Sequence, residues 1–200
     1  MIGVIRLAQR LPLDAAAALV DRGVNVLEVT LTTPFALESI AELTAEIPQC
    51  VVGAGTVLDA DAARDAIAAG ARFVVSPVFD AGVVALCRDN DVLCMPGAFT
   101  PTEMIQAWRA GASLIKVFPS SQMGPAYFRD VLAPMPFLRL VPSGGVSLAN
   151  AADWIRAGAA AVSVGTSLIN ASSVRDGNAA ALSTDARALV TAVGAARQQL

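Results

Sequence analysis

The sequence predicts a compact (β/α)8 TIM barrel built as one domain over residues 1–200. Three observations predict it. Short β-branched runs alternate with Ala-rich segments of helical period along the chain. Most of those runs are apolar on both faces, as strands of a helix-covered parallel sheet must be. Several helical segments end at a glycine that leads straight into the next strand, as in "DRGVNV", "AAGARFVV", "RAGASLIK" and "RAGAAAVSV".

The predicted strands are, in order, "GVIRL" (3–7), "VNVLEVTL" (24–31), "CVVGAGT" (50–56), "RFVVSP" (72–77), "VLCMPG" (92–97), "SLIKVFP" (113–119), "LRLVPSG" (138–144) and "AAVSVGT" (160–166). Amphipathic helices are expected over 14–22, 35–45, 59–69 and 101–110, with Asp59, Thr100 and Ser147 as N-caps. Eight such units in strict alternation suit a barrel. An open doubly wound sheet is the alternative, but no GxGxxG follows an early strand to support a dinucleotide site. The first predicted strand starts almost at Met1.

Composition narrows the chemistry. The net charge of −3 without a basic run argues against nucleic acid. Arg6, Arg10 and Asp14 interrupt any apolar leader, so no signal peptide is expected. The long uncharged run over 157–174 is too polar for a membrane span. Cys50, Cys87 and Cys94 are widely spaced and read as small buried hydrophobes of a cytoplasmic protein. There is no histidine, which excludes Ser-His-Asp hydrolysis, HExxH metal chemistry and imidazole catalysis.

In a barrel of this kind the reaction site lies at the C-terminal ends of the strands. Lys116 is the only lysine of the chain, against thirteen arginines, and it sits within "LIKVF". Alternation puts Leu114, Lys116 and Phe118 on one face. An amine with an ordinary pKa of about 10.4 is almost wholly protonated at neutral pH. Burial, or a cation such as Arg6 nearby, lowers that value and yields a carbonyl nucleophile, hence Schiff-base chemistry. The plainer reading is a lysine that reaches the rim or pairs with Glu28. Glu28 is the only glutamate set within a predicted strand and the leading proton shuttle, with a structural ion pair to Lys116 or Arg6 as the alternative. "PSGGVS" and "VGTS", at the ends of the last two predicted strands, suit phosphate held by backbone amides. "GAGT" and "MPG" fit either ligand approach or packing.

"LEVTLTTP", "VVGAGTVLD", "FVVSP", "MPGAFTPTE", "LIKVFPSS", "VPSGGVS" and "SVGTSL" resemble, in order and spacing, the class I 2-keto-3-deoxy-6-phosphogluconate (KDPG) aldolases. The 6-phosphogalactonate (KDPGal) and 4-hydroxy-2-oxoglutarate (KHG) aldolases are close relatives. The likeness covers the chain up to about its last thirty residues. It implies a trimeric barrel with no metal or cofactor, cleaving a phosphorylated keto sugar acid to pyruvate and glyceraldehyde 3-phosphate. Lys116 would be the Schiff-base lysine and Glu28 the general acid/base. Thr56, Pro77, Gly97 and Phe118 would line the pyruvate pocket, and Ser143, Gly144, Gly145, Gly165 and Thr166 would hold phosphate. Many members read "EVTLRTP", with an arginine for the substrate carboxylate; Thr32 stands there here, so the resemblance passes that role to Arg6. "FPSSQMGP" leans toward the galactonate relatives. Two rivals stay open at this point: a phosphosugar isomerase or synthase without a covalent intermediate, and a catalytically silent phosphate-binding module.

Overall fold

The computed structural model describes residues 1–199. Nine strands run through them: β1 (Ile2–Ile5), β2 (Val26–Thr30), β3 (Val51–Gly55), β4 (Phe73–Val75), β5 (Leu93–Met95), β6 (Gly97–Ala98), β7 (Ile115–Val117), β8 (Leu140–Pro142) and β9 (Ser163–Val164). All pairings among them are parallel. They form a curled α/β sheet in two sections, ordered β5-β4-β3-β2-β1-β9 and β6-β7-β8. The strand expected over 92–97 is divided at Pro96, which has no N–H to give to a ladder. The expected last three strands are shorter than predicted at both ends.

The helices between strands are α1 (Leu13–Val20), α2 (Ala36–Glu46), α3 (Ala60–Ala68), α4 (Ala81–Asp89), α5 (Pro101–Arg109), α6 (Gly124–Leu132) and α7 (Ala151–Arg156). The chain continues through α8 (Ala171–Arg175) into α9 (Ala179–Arg197), which packs on α7 and α1. Gly23, Gly70, Gly111 and Gly158 all take positive φ after a helix, as a left-handed stop requires. Asp59 caps α3, and Thr100 with Glu103 forms a complete capping box on α5. Ser147 is not the cap expected of it. Its amide donates to Asn150 Oδ1 at 2.8 Å, the chain makes a turn over 147–150, and Asn150 becomes the N-cap of α7.

Apolar side chains divide between the two faces of the sheet. Ile2, Val4, Phe73, Val75, Met95 and Val141 form a small cluster on the inner face. Leu27, Val29, Val52, Ala54, Ile115 and Val117 belong to the larger core toward the helices. Glu28 therefore projects inward from between Leu27 and Val29, and Lys116 from between Ile115 and Val117. Registers agree: Val4 pairs with Glu28, and Lys116 pairs with Val141. No helix among the described residues is long and apolar enough to cross a membrane.

Candidate active site

Lys116 is only 2% exposed and Glu28 is fully buried. Neither carboxylate oxygen of Glu28 has a hydrogen-bond partner, and the ion pairs found among the described residues are all between other side chains, at the surface. The structural ion pair between Glu28 and Lys116 is therefore absent. Two buried groups of opposite sign lie in each other's field without neutralising each other through contact. Burial is the largest influence on both. It raises the Glu28 pKa against the opposing pull of Lys116 and Arg6. It lowers the Lys116 pKa, with Arg6 lowering it further and Glu28 opposing. The outcome is a more nucleophilic amine near a carboxyl that holds its proton more tightly than usual. The Lys116 ammonium also lies 5.1 Å from the centre of the Phe118 ring.

Glycines allow close approach next to both groups. A Cβ on Gly55 would fall 2.0 Å from Glu28 Oε1, so the carboxyl occupies the space a side chain there would fill. A Cβ on Gly97 would meet the Pro77 carbonyl oxygen at 2.1 Å, and Lys116 pairs with Gly97 in the sheet. Thr56 follows Gly55 in a left-handed conformation, φ 60°. Pro77, Gly97 and Phe118 line a recess of about 380 Å³.

Phe118 also borders a second cavity of about 280 Å³, lined by Arg6, Ser143, Gly144, Gly145, Gly165 and Thr166. The two glycine loops expected to act together do meet here. Gly144 and Gly145 both have positive φ, and a Cβ on Gly145 would lie 2.6 Å from Ser121 Cβ. Ser120 holds this junction: its amide donates to the Ser143 carbonyl at 2.8 Å, and its Oγ accepts from the Ser143 amide at 3.1 Å. The amides of Gly145, Val146, Thr166 and Ser167 find no acceptor among the described residues. Free amides gathered in a concavity beside an arginine suit an anion.

Several contributors escaped sequence reasoning. Thr30 Oγ1 and Thr33 Oγ1 both donate to the Ile5 carbonyl, at 3.1 and 3.2 Å, and the Leu7 amide reaches Thr33 Oγ1 at 3.5 Å. They hold the backbone on either side of Arg6. The Thr32 hydroxyl lies 3.0 Å from Thr30 Oγ1 and joins that network. Thr56 lies outside the linings of both cavities. No group of three or more potential metal ligands occurs among the described residues.

The family model described as KDPG and KHG aldolase matches residues 1–184. The 2-dehydro-3-deoxy-phosphogluconate aldolase of Treponema pallidum is 41% identical over 141 residues, 70% of this chain and 67% of that one. A solved structure, native KDPGal, superposes with a TM-score of 0.89 at 28% identity, covering 98% of this chain and 95% of that one. Legionella pneumophila KDPG aldolase, with pyruvate captured as a covalent carbinolamine, gives 0.87 at 26% identity over 94% and 93%.

Proposed function

The chain belongs to the KDPG and KHG aldolase family, and from that premise we propose that it is a class I aldolase cleaving 2-keto-3-deoxy-6-phosphogluconate to pyruvate and glyceraldehyde 3-phosphate. The observation that carries the proposal is the Lys116 amine, buried beside the unpartnered Glu28 carboxyl. Lys116 adds to the C2 carbonyl, giving a carbinolamine that loses water to form an iminium. Glu28 takes the proton of the C4 hydroxyl, and the C3–C4 bond breaks as its electrons flow into the iminium. Glyceraldehyde 3-phosphate leaves. The resulting enamine is protonated at C3, and water releases pyruvate and the free amine. The iminium is itself the electron sink, so every step uses groups of this chain and water.

Thr56, Pro77, Gly97 and Phe118 are assigned to the pyruvate end. Ser143, Gly144, Gly145, Gly165 and Thr166 are assigned to the phosphate, in keeping with the free amides around their cavity. Arg6 is assigned to the substrate carboxylate; its backbone is braced by Thr30 and Thr33, and its charge also reaches the anion cavity. We further infer that the two sheet sections close into one eight-stranded barrel domain. Continuity through Pro96 and the bond from the Ala160 amide to the Leu140 carbonyl, 2.9 Å, support closure. A homotrimer fits the resemblance and the exposed Phe35, Leu58 and Val78, which follow three adjacent strands. A phosphorylated substrate and three buried free thiols fit a cytoplasmic enzyme.

A coupled assay of pyruvate release tests the proposal on both C4 epimers and on 4-hydroxy-2-oxoglutarate. Release from the gluconate epimer, lost in Lys116→Met, is the expected result. Turnover surviving in that variant contradicts the mechanism. The galactonate epimer is the second reading, favoured by "FPSSQMGP" and the likeness to the KDPGal structure; preferential release from that epimer selects it.

A further inference from the structure

The inner face of β9 carries a polar group that the mechanism above does not use. Ser163 is 2% exposed, and its Oγ has no hydrogen-bond partner. The residue lines the anion cavity beside Val4, Arg6 and Gly165. A buried hydroxyl left unsatisfied costs about 1–3 kcal/mol, and packing does not call for one here. Its register partner is Ile2, and Val4 beyond it belongs to the apolar inner cluster. A hydroxyl kept at such a cost, aimed into a cavity, is satisfied by what enters that cavity.

Its height in the site indicates which atom. Ser163 stands two residues before Gly165 on the same face, about 6–7 Å deeper than the amides assigned to phosphate. A substrate joined at C2 to Lys116, with its C6 phosphate on those amides, runs past this strand with its middle carbons. The first hydroxyl inward from the phosphate is the one on C5. We propose that Ser163 hydrogen-bonds the C5 hydroxyl of the phosphorylated substrate and so selects hydroxylated chains. This rests on the aldolase reading above.

The test uses the reverse reaction, in which C5 is C2 of the incoming aldehyde. Condensation of pyruvate is measured with glyceraldehyde 3-phosphate and with its 2-deoxy analogue, in wild type, Ser163→Ala and Ser163→Cys. The preference for the hydroxylated aldehyde, as a ratio of kcat/KM values, is expected to fall about three- to tenfold in Ser163→Ala. Ser163→Cys, similar in size but a weaker donor, gives a partial fall and serves if the alanine variant does not fold. Tm should hold or rise in Ser163→Ala, because the hydroxyl has no partner to lose; a residue kept for structure would lower it. An unchanged ratio overturns the assignment. Borohydride trapping of pyruvate on the wild-type protein separates the two claims. An adduct on Lys116 with an unchanged ratio removes only the role of Ser163, whereas no adduct removes the aldolase reading.

Discussion

The chemistry rests on how burial changes two side chains. Lys116 loses its proton more readily than an exposed lysine, first through desolvation and then through Arg6. The free-amine fraction, and with it kcat/KM, is expected to rise with pH and level off below the ordinary lysine range. A plateau reached only near pH 10–11, where exposed lysines titrate, would contradict this. Glu28→Gln should lower kcat by about 10²- to 10⁴-fold, the usual worth of a positioned acid or base. It should still trap pyruvate, because the amine is untouched. Stability gives an independent check. An ordinary carboxyl ionises near pH 4.5, and burial keeps Glu28 protonated above that in the folded chain. Between those two values the folded state holds a proton the unfolded chain has lost, so Glu28 erodes stability as pH rises through the window. Glu28→Gln escapes that loss. Its Tm should match wild type near about pH 4 and exceed it near about pH 7, by about 2–4 °C for each kcal/mol relieved. The opposite trend in a thermal melt would mean that the carboxylate is paired.

At the scale of strands and helices, two glycines that look alike in sequence should fail differently. A Cβ on Gly97 strikes backbone, the Pro77 carbonyl, so Gly97→Ala should unfold the chain or lower Tm sharply. A Cβ on Gly55 strikes the end of the Glu28 side chain, so Gly55→Ala should keep its circular dichroism while losing pyruvate release about tenfold or more. Full activity in Gly55→Ala would misplace Glu28. Thr100→Ala breaks the capping box of α5 and should cost about 1 kcal/mol, read as a Tm drop of about 2–4 °C. These elements were largely legible in the sequence. Gly23, Gly70, Gly111 and Gly158 mark helix stops because left-handed backbone is cheap only for glycine. Lys116 and Glu28 point inward because a strand repeats every two residues. Pro96 splits a strand through its missing N–H, an effect that depends on which neighbour needs the bond. Ser147 does not cap α7 because the chain first turns over 147–150, where the Asn150 side chain is spent on the Ser147 amide and the Gly145 carbonyl, and spacing alone does not reveal that turn. Ser163, Thr30 and Thr33 act across strands, so their importance depends on juxtaposition and leaves no local pattern.

For the whole molecule, the two glycine loops lie far apart in sequence from Arg6, and only the order of the parallel strands unites them, with β9 beside β1. The same sheet carries the buried amine and the buried acid on its inner face. Phe35, Leu58 and Val78 lie exposed at the C-terminal ends of neighbouring strands. Light scattering is expected to give three times the 20.5 kDa chain mass, and Leu58→Asp to lower it toward one. A monomeric wild type would remove the trimer. The most direct measurement of the central claim is peptide mass analysis after incubation with pyruvate and borohydride. The account predicts one reduced pyruvate on the peptide containing Lys116, and none in Lys116→Met. A Lys116 peptide that emerges unmodified, while pyruvate release continues, would contradict it.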